Sequence, residues 1–457
     1  MHKGMSYNDH GNASMNSPRY FIQTFGCQMN EADSEAMARL LEQAGYECAD
    51  SPEEASFILL NTCCVRAKPE QKVYSRLGEL RPIKERRPDT LIAVAGCMAQ
   101  KEGEALLKRV PYLDLVIGTR QFHRLEEFIH SCRQGGQRVC ALGLEDDPSE
   151  LRAAPLVPGA AAGAELKAFV PIILGCDNFC TYCIVPSVRG RQKSRPPAEI
   201  LREVQALSAR GGKEVTLLGQ NVLAYGRDLI PPTDFVSLLE ALDERGGVER
   251  IRFTTAHPRD VDERLIAAVA DLPRVCEHFH IPVQAGDDSL LKAMNRGYTT
   301  EDYLATVEKI RARIPNVAIT TDIMVGFPGE TEQQFEASLA LYEKIGFDQA
   351  FTFVYSPRPG TAAAKLPDQV PQETKVARVS RLSEMINERA RRINQAQLGR
   401  REELLVEGRS EKDSARLAGR TRTNKLVVFP GGAELIGRLV AVTLTSAYPW
   451  GFVGTAD

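Results

Sequence analysis

The string FVPIILGCDNFCTYC, residues 169–183, decides how this chain is read. Its first part, Phe169–Leu174, is an apolar run of strand length. Its second part places Cys176, Cys180 and Cys183 in a CxxxCxxC triplet on the loop that follows. Three thiolates this close can hold three irons of a cubane iron–sulfur cluster, and such clusters are normally closed by four cysteines. The missing ligand leaves one iron open, and an open position is what makes a metal site catalytic instead of structural. A zinc knuckle or a buried cysteine cluster is the competing reading. Zinc prefers CxxC pairs and four ligands, so the triplet fits it less well.

Upstream of that loop, the first ~135 residues repeat a short apolar strand, a tight turn and an amphipathic helix. The strands read Tyr20–Phe25, Phe57–Leu60, Leu91–Ala95 and Leu113–Ile117, with helices that include Asp33–Ala44 and Gln71–Leu80. Such alternation implies a doubly wound parallel sheet. Cys27, Cys63 and Cys97 each follow one of the first three strands. Loops at the carboxyl ends of parallel strands converge on one crevice, so these three can meet and form a second site that is again one ligand short. The plainer alternative is three unrelated small residues in tight turns. Their equivalent placement argues against it.

Residues 145–165 are acidic and then rich in Pro, Ala and Gly without periodicity, which marks a linker, assigned here to 136–164. From Phe169 a second series begins, with strands at Phe169–Leu174, Glu214–Leu218, Arg250–Thr254, His278–Val283, Val317–Val325 and Ala350–Tyr355. Six βα units suggest a partial (β/α)6 barrel over 165–395, with its site at the carboxyl ends of the strands. CDNFCTYC and the turn LLGQN at 217–221 both fall there. A helix is expected over 372–397. From Arg401 the pattern turns to strand-sized runs broken by Gly and Pro, which fits a small all-β barrel over 396–457. Between Lys375 and Lys425 there are 14 Lys/Arg against 7 Asp/Glu, a local excess that suits RNA backbone contact or, more plainly, a solvated face.

Composition sets the outer limits. With 457 residues, 43% of them hydrophobic and 26% charged, the chain has room for two or three ordinary globular domains. A net charge of −3 gives no global electrostatic case for a nucleic-acid partner. No apolar run reaches the ~18 residues of a membrane span. The opening stretch MHKGMSYNDHGNASMNSP has no apolar core and reads as a disordered lead-in, not a signal peptide. Eleven cysteines in such a chain point to metal ligation and a cytoplasmic location, not to disulfides.

The CxxxCxxC spacing is the signature of radical S-adenosylmethionine (SAM) enzymes, and the whole chain from about residue 18 resembles the radical-SAM methylthiotransferases, most closely their MiaB branch, which modifies isopentenyladenosine in tRNA. The strings that carry the resemblance are TFGCQMNEADSE (24–35), NTCCVRAKPEQKVY (61–74), AGCMAQKEG (95–103), GCDNFCTYCIVPSVRGR (175–191), LLGQNV (217–222), TAHPRD (255–260), VQAGDDSLLKAMNRGYT (283–299) and TDIMVGFPGET (321–331). GRTRTNKLVVFPG (419–431) is similar to a TRAM domain, the RNA-binding barrel of that family. The resemblance implies two [4Fe-4S] clusters: Cys176, Cys180 and Cys183 would ligate the SAM cluster and Cys27, Cys63 and Cys97 an auxiliary one. It gives the second auxiliary position to Cys63, with Cys64 where other small residues stand. It places Gly219, Gln220 and Asn221 against the amino end of SAM and Tyr182 beside its adenine. Two departures from the family pattern are Ser187, where an aromatic is common, and AGDD (285–288) in place of SGSD.

The implied reaction replaces C2–H of N6-(dimethylallyl)adenosine, next to the anticodon, by C2–SCH3. That carbon is unactivated, so a cofactor must carry the radical chemistry while the protein binds and orients. One SAM is the radical source and another the methyl donor; the auxiliary cluster holds the sulfur. A tRNA anticodon loop, an electron donor such as flavodoxin or ferredoxin, and a sulfur source are the expected partners, and no side chain is assigned as a catalytic acid or base. The base must sit between the clusters, so the first domain should lie against the barrel mouth. Siblings acting on threonylcarbamoyladenosine or on a ribosomal-protein aspartate, and a non-enzymatic cluster carrier or RNA scaffold, are the alternatives. Among other residues, Cys48, Cys132, Cys140 and Cys276 read as small apolar fillers, and His257 and His280 as packed or hydrogen-bonded histidines. The GFPGE turn (326–330) reads as a loop shaping the barrel mouth, and Asp33, Glu35, Arg66 and Lys68 as ordinary helix-start and surface residues.

Overall fold

Six parallel strands, β1 (Arg19–Phe25), β2 (Glu47–Cys48), β3 (Phe57–Thr62), β4 (Leu91–Gly96), β5 (Leu115–Ile117) and β6 (Val139–Ala141), form the first sheet in the order β2-β1-β3-β4-β5-β6. The computed structural model describes residues 17–64, 67–144 and 166–456. The lead-in and most of the expected linker therefore lie outside the described residues. β3 and β4 are buried along their whole length, as strands covered by helices on both faces must be. The helix expected at Asp33 starts five residues earlier, at Gln28, directly after Cys27, and the one expected at Gln71–Leu80 runs from Ala67 to Arg86. β6 lies in the stretch read as linker and pairs in parallel with β5 through Val139–Leu115.

The second unit lays β7 (Lys167–Pro171), β10 (Glu214–Leu218) and β11 (Arg250–Phe253) in one parallel sheet and β12 (His278–His280), β13 (Ala318–Val325) and β14 (Gln349–Val354) in another. An Ile251–Val275 bridge links the two, so the six strands follow one another in chain order around an open barrel. The run Phe169–Leu174 is not one strand. β7 stops at Pro171, which has no N–H to give, and Ile173–Leu174 (β8) turns to pair antiparallel with Lys193–Ser194 (β9). That departure carries the cysteine loop back across the barrel mouth.

The third unit is a closed barrel, β15 (Arg401–Arg409), β16 (Arg416–Thr421), β17 (Leu426–Pro430), β19 (Gly451–Ala456) and β18 (Leu439–Tyr448) in that order. β16 carries no apolar signal because its inward positions are Leu417, Gly419 and Thr421. Gly419 lies so close to β15 that a Cβ would sit 2.5 Å from the Leu405 carbonyl oxygen.

Buried arginines fasten the units together. Arg250 on β11 donates to the Arg420 and Glu403 carbonyls, and Arg252 to those of Arg422 and Thr421. At the other end of the barrel, helix Val185–Arg189, just past the cysteine triplet, packs Ile184 and Val188 into the core of the first unit. Arg120 of that unit donates to the Arg189 carbonyl at 2.9 Å.

Candidate functional site

β1, β3 and β4 end level with one another: Phe25 pairs with Thr62, and Thr62 with Gly96. Cys63 and Cys97 come next on their strands, and Cys27 follows Gly26, so parallel register alone brings the three loops side by side. A buried asparagine pair fixes them there. Asn61 Nδ2 donates to the Asn30 carbonyl (2.7 Å) and to Ser34 Oγ (2.9 Å), while Asn30 Nδ2 donates to Asn61 Oδ1 (3.2 Å). Asn30 Oδ1 in turn faces the Cys27 thiol at 3.4 Å. Gly96, at φ +93°, allows the close approach, since a Cβ would lie 2.4 Å from the Thr62 carbonyl oxygen.

The electrostatics favour thiolates here. A hydrogen bond from Cys63 and the charge of Arg189, opposed by burial, hold the Cys27 thiol down at about 6. A hydrogen bond from Cys64, again against burial and again with help from Arg189, holds Cys97 at about 7. Cys64 itself is fully buried, and its thiol is pushed up by that hydrogen bond and by burial. Arg189 forms a buried ion pair with Asp33, Nη2 to Oδ2 2.7 Å. Burial disfavours its charge, but Asp33, Cys97 and Cys27 more than offset this and keep the guanidinium protonated. Asp33 is therefore turned inward, not a surface residue. Glu35 is half-buried; Arg66 and the Lys68 side chain lie outside the described residues.

The triplet loop is held by the MNRG segment. Asn295 Nδ2 donates to the Phe179 carbonyl (3.1 Å), and Thr181 N to that of Met294 (3.1 Å). Arg296, almost fully buried, directs Nη1 at Cys180 Sγ (3.4 Å) and Nη2 at the Pro282 carbonyl (2.9 Å). Burial pushes the Cys176 thiol up, and Cys183 up to about 12. Gly175, at φ +72°, presses on the 190–191 backbone, where a Cβ would meet the Arg191 carbonyl oxygen at 2.1 Å.

All six cysteines line one cavity of about 330 Å³ between the first unit and the barrel mouth. Tyr182, Gly219 and Gln220 line it too. Gly219 has no room for a side chain, since a Cβ would strike Ile173 Cγ2 at 2.3 Å. Gln220 Oε1 is buried there without a hydrogen-bond partner, an acceptor waiting for a donor from a ligand. The donor chemistry suits both groups that the sequence implies, soft thiolates for clusters and an orphaned amide oxygen for an ammonium, although among the described residues no three Cys, His, Asp or Glu side chains converge on the position of a single metal ion. Asn221 is not among the lining residues. It is buried beneath them, donating to Asp260 (2.7 Å) and accepting from His257 N (3.2 Å). Sequence reading missed Arg189, Arg296 and Asp322, which also line the cavity. Their only signal was position inside the strings 175–191, 283–299 and 321–331.

Other candidates take quieter places. His257 lines the cavity, but burial first and then nearby Arg296 hold it down at about 3, and its Nδ1 accepts from Arg259 N. His280 bridges Thr320 Oγ1 (3.0 Å) and Asp322 (3.4 Å). GFPGE closes on itself, Gly326 N donating to Glu330, whose buried carboxylate pairs with Arg378 at 2.8 Å. In AGDD, Asp287 caps helix Asp288–Ala293 and Asp288 accepts from Thr300 N, so neither departs toward the cavity; Ser187 is exposed. Cys132 and Cys276 are buried fillers as expected and Cys140 is half-buried, whereas Cys48 is exposed because it lies on the edge strand β2.

Comparison with known proteins agrees with this layout. Residues 19–118 match the uncharacterized protein family UPF0004, 170–342 the radical SAM superfamily and 395–456 the TRAM domain. The chain is 49% identical over 440 residues to the tRNA-2-methylthio-N(6)-dimethylallyladenosine synthase of Desulforamulus reducens, covering 96% of this chain and 95% of that one. It is 46% identical over 429 residues to the protein of the same name from Syntrophotalea carbinolica, covering 94% and 97%. Among solved structures, the radical S-adenosylmethionine methyltransferase TsrM from Kitasatospora setae, with cobalamin and a [4Fe-4S] cluster bound, shares the fold (TM-score 0.56, 15% identity, 76% of this chain and 74% of that one).

Proposed function

We propose, from the premise that this chain belongs to the family of tRNA-2-methylthio-N(6)-dimethylallyladenosine synthases, that it replaces the C2 hydrogen of N6-(dimethylallyl)adenosine beside a tRNA anticodon by a methylthio group. The observation that carries the reading is the single cavity shared by all six cysteines. Cys176, Cys180 and Cys183 would hold the SAM-binding [4Fe-4S] cluster, and Cys27, Cys63 and Cys97 the auxiliary one. When bound, the clusters and SAM supply the reducing, radical and sulfur-transfer chemistry that side chains lack.

The protein's share is orientation and exclusion. Gln220 Oε1 would accept from the SAM ammonium, and Gly219, which has no Cβ to strike Ile173, lets the backbone before it pack against that residue. Tyr182 offers a ring face at the SAM end. Arg296 and Arg189 set a positive charge behind each thiolate group, which offsets negative charge that burial would otherwise disfavour. Val185, Val188 and Leu218 make the wall apolar and keep water from the reacting base. A loop base splayed out of its stack is the form in which an adenine reaches such a pocket. The N-terminal unit delivers sulfur, the barrel holds SAM, and the TRAM barrel contacts RNA. A flavodoxin- or ferredoxin-like donor supplies electrons, and a separate sulfur source refills the auxiliary cluster. Among the described residues no helix is long and apolar enough to cross a membrane.

Two cysteine variants test the assignment. Cys180→Ala abolishes SAM cleavage, whereas Cys63→Ala retains cleavage and yields no methylthiolated RNA, both read by liquid chromatography and mass spectrometry. Methylthiolated product from the Cys63 variant would remove the auxiliary site. Nucleoside profiles of tRNA from a deletion strain separate this substrate from threonylcarbamoyladenosine.

A further inference from the structure

A second cavity, of about 650 Å³, opens from the six-cysteine cavity, sharing Cys27, Thr254, Thr255 and Asp322 with it, and runs along β12–β14 to the C-terminal barrel. At its far end, Trp450 in the β18–β19 turn stacks on Tyr448, ring centroids 5.1 Å apart and planes at 12°. Both rings are nearly half exposed, and neither fills a core. Midway, Phe351 is 52% exposed and meets His280 edge to face at 5.8 Å.

The charges on these walls are already paired. Lys425 Nζ is 2.9 Å from Asp348 and 2.9 Å from Asn394, and Arg420 faces Glu407 at 3.6 Å. A groove whose cations are engaged is poorly suited to phosphate. Exposed aromatic faces beside amide groups such as Gln349 and Asn424 suit a nucleobase, which offers a π-face for stacking and polar edges for hydrogen bonds. The groove begins where the reacting adenine would sit, so a chain emerging from that cavity is led along it.

We propose that this groove binds an unpaired nucleobase flanking the target adenosine, stacked on Trp450. The inference rests on the tRNA reading above and adds a specific base-binding site at the joint between barrel and TRAM domain.

Trp450 is the single tryptophan of the chain, so its emission reports on this site alone. The test uses the full-length, anaerobically reconstituted protein titrated with an anticodon stem-loop bearing N6-(dimethylallyl)adenosine. Anisotropy of the labelled RNA gives binding independently. Saturable quenching of Trp450 emission that tracks binding is expected, with none from a fully paired duplex of equal length. Trp450→Ala weakens binding about 5- to 150-fold, the range for losing one base–aromatic stack, while Trp450→Phe keeps most of it. Thermal melting of each variant controls for folding. If the stem-loop binds the wild type with unchanged emission and Trp450→Ala binds equally well, the site is refuted while the tRNA reading stands. If the wild type binds no stem-loop at all, both fail. Equal quenching by the duplex also overturns the unpaired-base assignment.

Discussion

Replacing Arg189 by Met tests whether the two cysteine sets are held together by docking of separate units. The guanidinium comes from the end of helix Val185–Arg189 in the barrel unit and the Asp33 carboxylate from the first unit, 2.7 Å apart with 5% and 9% of each side chain exposed. At an effective dielectric of about 20, two charges at this distance attract by roughly 6 kcal/mol, and taking both out of water costs several kcal/mol each. The intact pair is therefore near neutral for stability. Losing one partner is not, because Asp33 is left buried beside thiolates without a counter-charge, at a cost of about 3–5 kcal/mol. Hydrogen exchange read by mass spectrometry reports that loss where amides exchange through opening of the interface. In Arg189→Met, helix Gln28–Gln43 and residues 185–189 exchange roughly 100- to 4000-fold faster. In Asp33→Leu/Arg189→Met, most of the protection returns. Exchange of the single variant within threefold of wild type, or a double variant as open as the single one, would refute the reasoning.

Gly96→Ala forces a side chain onto φ +93° and against the Thr62 carbonyl, a strain of about 1–3 kcal/mol; the thermal midpoint falls and reconstituted iron drops toward one cluster with all six cysteines intact. Asn61→Leu strands the buried Asn30 amide and costs about 1–3 kcal/mol in urea titration, part of which Asn30→Leu/Asn61→Leu recovers. His278 is held down at about 3 in the folded protein, by burial first and by Arg252 next. Its unfolded state therefore binds a proton near pH 6.5 that the folded state refuses, and stability falls as pH drops from 6.5 toward 3. Between pH 6.5 and 5 this one residue removes about 2 kcal/mol, so the urea midpoint of His278→Gln declines less over that window; parallel curves would show that the residue is not responsible.

Elements whose burial is written as apolar runs were legible from sequence: β10 is read to the residue, and β3, β4 and β13 to within two. Elements built on small or polar inward residues were not. β16 hides behind Gly419 and Thr421, β2 and β6 are too short to show a period, and Pro171 splits what looks like one strand. The six cysteines were found because thiol spacing and strand-end placement are local facts. Arg189, Arg296 and Asp33 could not be found that way, since a buried guanidinium looks like any surface arginine until its partner arrives from another unit. Asn221 shows the converse: it sits in a string that touches the cavity, yet its side chain is engaged with Asp260 beneath.

The basic excess of the C-terminal third teaches the same lesson about charge. Read along the chain, 14 cations against 7 anions invite an RNA backbone. In the fold, Arg378 pairs with Glu330, Arg381 with Glu336, Arg389 with Glu343, Arg422 with Glu277 and Lys425 with Asp348. Each acidic partner belongs to the radical SAM barrel, so much of the excess complements acidic groups there and fixes how helix Gln372–Gln395 and the β-barrel dock. These ion pairs join the TRAM barrel to the radical SAM barrel, so in the proposed function an RNA loop held in the groove would present its target base at the cavity. In that proposal recognition rests on shape and stacking more than on net attraction, as suits a chain whose overall charge is negative.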